Sequence, residues 1–115
     1  MSQAERVWVG KLTDFPFGRK KLVKTELESI LVVNVGGEFL AVSNTCPHAG
    51  GLLNYGRLEG YVIECPLHAW PFDLRTGCLL DIPEATPEDQ LNTYPVIIQG
   101  DEVFVELNPS ISECG

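Results

Sequence analysis

The residues able to do chemistry lie in two short segments, Cys46-Pro47-His48 and Cys65-Pro66-Leu67-His68, which contain both histidines and two of the four cysteines of the chain. Sixteen residues separate His48 from Cys65. Each segment offers one thiolate and one imidazole. Thiolates are soft donors that suit iron and zinc, and imidazole suits both, so donor type alone leaves a zinc ion and an iron–sulfur cluster open. Zinc fingers group their cysteines and histidines separately, and zinc ribbons use paired C-x-x-C claws. Mixing one cysteine and one histidine in each claw matches neither. Four cysteines in a short chain also suit two disulfides. With no apolar leader at Met1 to Arg6, however, a reducing, cytoplasmic setting is expected, where such a pattern more often means metal. Cys78 and Cys114 match neither claw and are expected to be a small core residue and a tail thiol.

The elements that must position these claws read as all-β. No segment of ten or more residues keeps a clean helical period, while short β-rich runs recur between turn residues. Val7 to Val9, Lys20 to Lys24, Ile30 to Val35 and Glu38 to Val42 read as strands, with Gly36-Gly37 closing a two-residue hairpin. Tyr61 to Glu64 follows, then Phe72 to Leu74 and Cys78 to Leu80 around the turn Arg75-Thr76-Gly77. A second hairpin joins Val96–Gln99 to Glu102–Leu107 through Gly100-Asp101, with glycine where a type II′ turn needs positive φ. Ile82 to Thr93, with Pro83, Pro87 and three acidic residues, reads as a surface loop. Residues 108–115 are expected to be a frayed tail.

With 115 residues, of which 44% are hydrophobic, the chain suits one domain with a real core. The longest aliphatic run, Ile30-Leu31-Val32-Val33, falls far short of the roughly 20 residues of a membrane helix. A net charge of −8 repels a phosphate backbone, which excludes nucleic acid as a natural partner. Residues 1–24 hold six bases and two acids, against two bases and fourteen acids in the rest, so a charged partner of the larger part would be basic. Gly51 to Arg57 lacks the Lys and Ser/Thr of a phosphate loop.

The two claws resemble the Rieske iron–sulfur family, whose signature is C-x-H followed at about this interval by C-x-x-H. The resemblance continues through Gly50-Gly51, Trp70-Pro71-Phe72-Asp73, Thr76-Gly77 and the Tyr94-Pro95-Val96 strand, covering roughly residues 6–107. It implies an antiparallel β-sandwich with a small cluster-binding subdomain, here about residues 43–80. It also implies one [2Fe–2S] cluster per chain, with Cys46 and Cys65 on one iron and His48 and His68 on the other. Two ferric ions, two sulfides and two thiolates cancel when the histidines are neutral, so the cluster accepts an electron more readily than one with four thiolates. Pro47 and Pro66 would stiffen the claws, and Leu52, Leu53, Leu67 and Trp70 are candidates for an apolar shell around the cluster. High-potential members supply a serine and a tyrosine hydroxyl two and four residues after the last histidine. Trp70 and Phe72 stand there in this chain, which implies a potential near the low end of the family range.

Within that family several roles are closed to this chain. A terminal oxygenase also holds a mononuclear iron by two histidines and a carboxylate, and no histidine is left over. A flavin or nicotinamide reductase needs a dinucleotide fold, and no G-x-G-x-x-G is present. Membrane-anchored respiratory relatives have an extra cysteine in each loop, where this chain has Gly51 and Leu67. The resemblance is closer to the Rieske-type ferredoxins of multicomponent aromatic-ring oxygenases. It implies a monomeric one-electron carrier, not itself an enzyme, between a flavoprotein reductase and a terminal oxygenase, docking near the histidines with help from the acidic stretch Asp81 to Asp89. The alternatives are a Rieske-like small subunit of an assimilatory nitrite reductase and a zinc-stabilised binding module.

Overall fold

The computed structural model describes residues 5–47, 50–110 and 114. Among the described residues, ten strands form three antiparallel sheets. The first sheet has the order β1 (Arg6–Lys11), β10 (Glu102–Glu106), β9 (Val96–Gln99). The second has four strands in the order β2 (Lys20–Lys24), β3 (Ser29–Val35), β4 (Glu38–Ser43), β8 (Thr93–Tyr94). The third is small: β5 (Leu58–Glu59), β6 (Val62–Glu64), β7 (Pro71–Asp73).

The four-stranded sheet is the central layer, and its central strand shows why. Leu31 and Val33 face a core shared with Leu53, Ile63, Phe72 and Leu74 beneath the small sheet. Ile30 and Val32 face a second core shared with Val9, Phe15, Val103 and Val105 of the first sheet and its loops. All four of these β3 residues have zero exposure, so both faces of the strand are covered. That is the physical reason for the unbroken run Ile30 to Val33, where a half-exposed strand would alternate. The result is a β-sandwich with a small three-stranded subdomain packed on its outer face, the architecture expected.

Both hairpins form at the expected residues. Gly36 and Gly37 have φ of 59° and 102°, the double left-handed geometry of a type I′ turn. Gly100 has φ of 62°, whereas Asp101 is not left-handed, as a type II′ turn requires. The two-residue strand β5 lies where the sequence reading placed none. It is held to β6 by the pairs Leu58–Ile63 and Glu59–Val62, and so short a strand leaves no periodic signal.

Three expectations are corrected. The stretch Ile82 to Thr93 is more than a surface loop: Leu91 is buried, Ile82 and Ala85 pack on the core beneath the small sheet, and Thr93 begins β8. The tail is not frayed throughout, since Ser110 pairs with Thr93 through reciprocal backbone hydrogen bonds of 2.9 Å. Cys78 and Cys114 are neither core filler nor free thiol, because they form a disulfide with a Cα separation of 5.7 Å. The route is a chain of contacts: Gly77 beside Cys78 accepts from Leu91 N–H, and Thr93 two residues on holds the tail. Pairings this distant in sequence leave no local pattern.

Candidate metal centre

The first claw leaves β4 and returns into a single 3-10 turn over Leu53–Tyr55. The second leaves β6 and returns into β7. Their backbones are built alike. Cys46 N–H donates to Gly51 O at 2.8 Å, and Cys46 O accepts from Gly50 N–H at 2.8 Å. Cys65 N–H donates to Trp70 O at 2.9 Å, and Cys65 O accepts from Ala69 N–H at 2.7 Å. Each cysteine thus closes a six-residue loop, Cys46 to Gly51 and Cys65 to Trp70, through the same two bonds. The fifth residue of each is left-handed, Gly50 with φ of 72° and Ala69 with φ of 56°. The sequence shows the repeat once the loops are aligned as CPHAGG and CPLHAW. It places the histidine third in one loop and fourth in the other.

Cys46 and Cys65 lie outside the Cys78–Cys114 disulfide, at 1% and 0% exposure, and both belong to the core beneath the small sheet. The loops are in contact there. A Cβ added to Gly51 would lie 2.8 Å from the Cys65 sulfur and 3.1 Å from Leu67 Cγ. The thiols are therefore inward, at the closed ends of two adjoining loops. His68 stands on the exposed outer side of its loop, and His48 lies outside the described residues. Two buried thiols from matched loops, with the other two cysteines consumed by a disulfide, are a donor set that fits a [2Fe–2S] cluster.

Of the expected apolar shell, Leu53 is fully buried and Trp70 packs half-buried against the core. Leu52 and Leu67 are instead exposed, at 43% and 58%. Phe72 has zero exposure and is a core residue. Behind the second claw, Arg75 grips Asp73 by Nε to Oδ1 at 3.1 Å and Nη2 to Oδ2 at 3.0 Å. These side-chain bonds outweigh burial and hold the Asp73 carboxyl below its usual pKa. Arg75 also stacks on Tyr61, whose hydroxyl donates to Glu38 at 2.6 Å, which braces the small sheet against the β3–β4 hairpin. That bond to Glu38 raises the Tyr61 pKa. Sequence reasoning missed Asn44, Asn54 and Ala69, which shape the loops without any metal-binding chemistry to mark them.

An all-β protein with matched cysteine loops closing on a shared core is an iron–sulfur protein of one particular architecture. The description Rieske [2Fe-2S] domain matches residues 5–95, and the chain belongs to that family and contains a [2Fe–2S] cluster. It is 38% identical over 103 residues to the 3-phenylpropionate/cinnamic acid dioxygenase ferredoxin subunit of Shigella flexneri serotype 5b (strain 8401), covering 89% of this chain and 93% of that one. The subunit of the same description from Escherichia coli (strain K12) is equally similar, at 38%. Among solved structures, the ferredoxin of carbazole 1,9a-dioxygenase from Nocardioides aromaticivorans IC177 superposes with a TM-score of 0.79 at 31% identity, over 89% of this chain and 97% of that one. A chain in a complex of reduced oxygenase and oxidized ferredoxin of carbazole 1,9a-dioxygenase gives 0.84 at 29% identity, over 96% of this chain and 100% of its own length.

Proposed function

We propose that this chain is the ferredoxin component of a multicomponent aromatic-ring dioxygenase, taking one electron at a time from a flavoprotein reductase and delivering it to a terminal oxygenase. It transforms no substrate of its own. The supporting observation is the matched pair of loops with their buried cysteines, found in a chain 38% identical along nearly its whole length to a dioxygenase ferredoxin subunit. Cys46 and Cys65 hold one iron, and His48 and His68 the other. The cluster supplies reversible one-electron storage.

The chain's own residues supply the rest. Burial of the two thiols keeps the cysteine iron from water, and the exposed loop of His68 gives the histidine side a face for partners. Residues 1–115 act as one domain, with the cluster loops inside 43–80. Asp81, Glu84 and Glu88 are exposed on a segment anchored to the same core by Ile82 and Ala85, which suits them to attract a basic partner surface. Reconstitution tests the proposal: the chain, a reductase and an aromatic-ring oxygenase should turn over aromatic substrate, and omission of the chain should stop it. The reduced chain should reoxidise on adding oxygenase, more slowly as salt screens the charges. A chain with stoichiometric zinc and no labile sulfide would overturn the proposal.

A further inference from the structure

The first claw is closed at its base by two asparagines. Asn44 is 1% exposed, and every polar atom it has is engaged. Its N–H donates to Ser29 O at 3.0 Å and its carbonyl accepts from Leu53 N–H at 2.7 Å. Its side-chain oxygen accepts from Asn54 N–H at 2.8 Å, and its side-chain N–H₂ donates to Asn54 Oδ1 at 2.8 Å. Above this clasp, Thr45 bridges Leu52 and Cys46 is bonded to Gly50 and Gly51. The clasp therefore fixes how the returning limb, with Gly51 at its head, sits against the Cys65 sulfur. The second claw has β6 and β7 on either side to hold it, whereas the first is closed by a 3-10 turn with no strand partner.

We infer that Asn44 and Asn54 are positioning residues that set the spacing between the Cys46 and Cys65 thiols and so tune the cluster. This rests on the reading of those cysteines as ligands. The bonds are directional, which makes the inference selective. Asn54 contributes only an acceptor from its side chain, and an isosteric carboxylate there, on a half-buried residue, still accepts. Asn44 contributes an acceptor and a donor. A carboxylate at Asn44 loses the donor, faces an oxygen with an oxygen, and is buried.

The test compares Asn44→Ala, Asn44→Asp, Asn54→Ala and Asn54→Asp in the purified holoprotein. The readouts are iron and sulfide per chain, the electron paramagnetic resonance spectrum of the reduced state and the midpoint potential. Asn54→Asp should retain the wild-type g-values and potential. Asn44→Asp and both alanine variants should shift them and lose iron to a chelator several-fold faster, and the double alanine variant should be no worse than either single one. Wild-type g-values and potential in Asn44→Ala would overturn the inference, even if its melting temperature fell, because that would be a purely structural role. A wild-type protein lacking two irons and two sulfides would instead overturn the ligand reading beneath it, and the inference with it.

Discussion

Gly51 lays its bare backbone on the Cys65 sulfur, at a distance where a Cβ would stand 2.8 Å from the thiol. Gly51 is not left-handed, so alanine is allowed by its backbone and excluded only by the neighbouring loop. The sulfur is buried and fixed, and Leu67 closes the other side. Gly51→Ala should therefore force the two claws apart, at an overpacking cost of about 1–3 kcal/mol. Cluster content per chain should drop well below wild type. Full iron and sulfide with an unchanged visible spectrum would show that the loops adjust freely.

Ala69 fills the left-handed position that Gly50 fills in the matching loop. That geometry costs a residue with a Cβ roughly 1–2 kcal/mol, partly offset by the larger unfolded-state entropy of glycine. Ala69→Gly should stabilise the protein by about 0.5–1 kcal/mol, and Ala69→Val should destabilise it. Denaturant titration of the three proteins reads the order directly.

The Cys78–Cys114 disulfide closes a sequence separation of 36 residues. Cross-linking a loop of that size stabilises by roughly 2–4 kcal/mol. Cys114→Ser should lower stability by that amount with cluster content unchanged. Alkylation of the unfolded, cluster-free chain should label two cysteines before reduction and four after, because the disulfide joins Cys78 to Cys114 and not Cys46 or Cys65. Four labels before reduction would mean that the bond does not form in the isolated protein.

Phe72 brings no hydrogen-bond donor to the place where a hydroxyl raises the potential in relatives, and it is fully buried in the core. Gly51 and Leu67 form no cross-link between the loops. With fewer groups stabilising the added negative charge, the midpoint should lie near the lower limit of about −150 mV for such centres. A voltammetric value above roughly +100 mV, high in that range, would contradict it.

Asp73 owes its lowered pKa chiefly to the side-chain bonds from Arg75. Since the folded value lies below the unfolded one, near 3.9, the bond stabilises the fold fully at neutral pH. That contribution is lost as pH falls through the folded value. Asp73→Asn should be less stable than wild type at pH 7, and the gap should narrow below about pH 4. A gap independent of pH would assign the effect to packing instead.

Local chemistry made much of this protein legible in its sequence. The paired Cys-x-His and Cys-x-x-His claws, the Gly36-Gly37 and Gly100-Asp101 turns and the flanking strands are set by neighbouring residues, through donor type, positive φ and β-propensity. The family and its cluster follow from the same short-range patterns. Tertiary structure alone decided which faces are covered. Ile30 to Val33 reads as an apolar run in any fold, but only stacking of three sheets makes it the central layer. Equally, Cys114 meets Cys78, and Asn44 meets Asn54, because chain segments far apart in sequence or on opposite limbs of a loop are brought together by packing. Such contacts depend on three-dimensional closure and have no periodicity or motif to announce them.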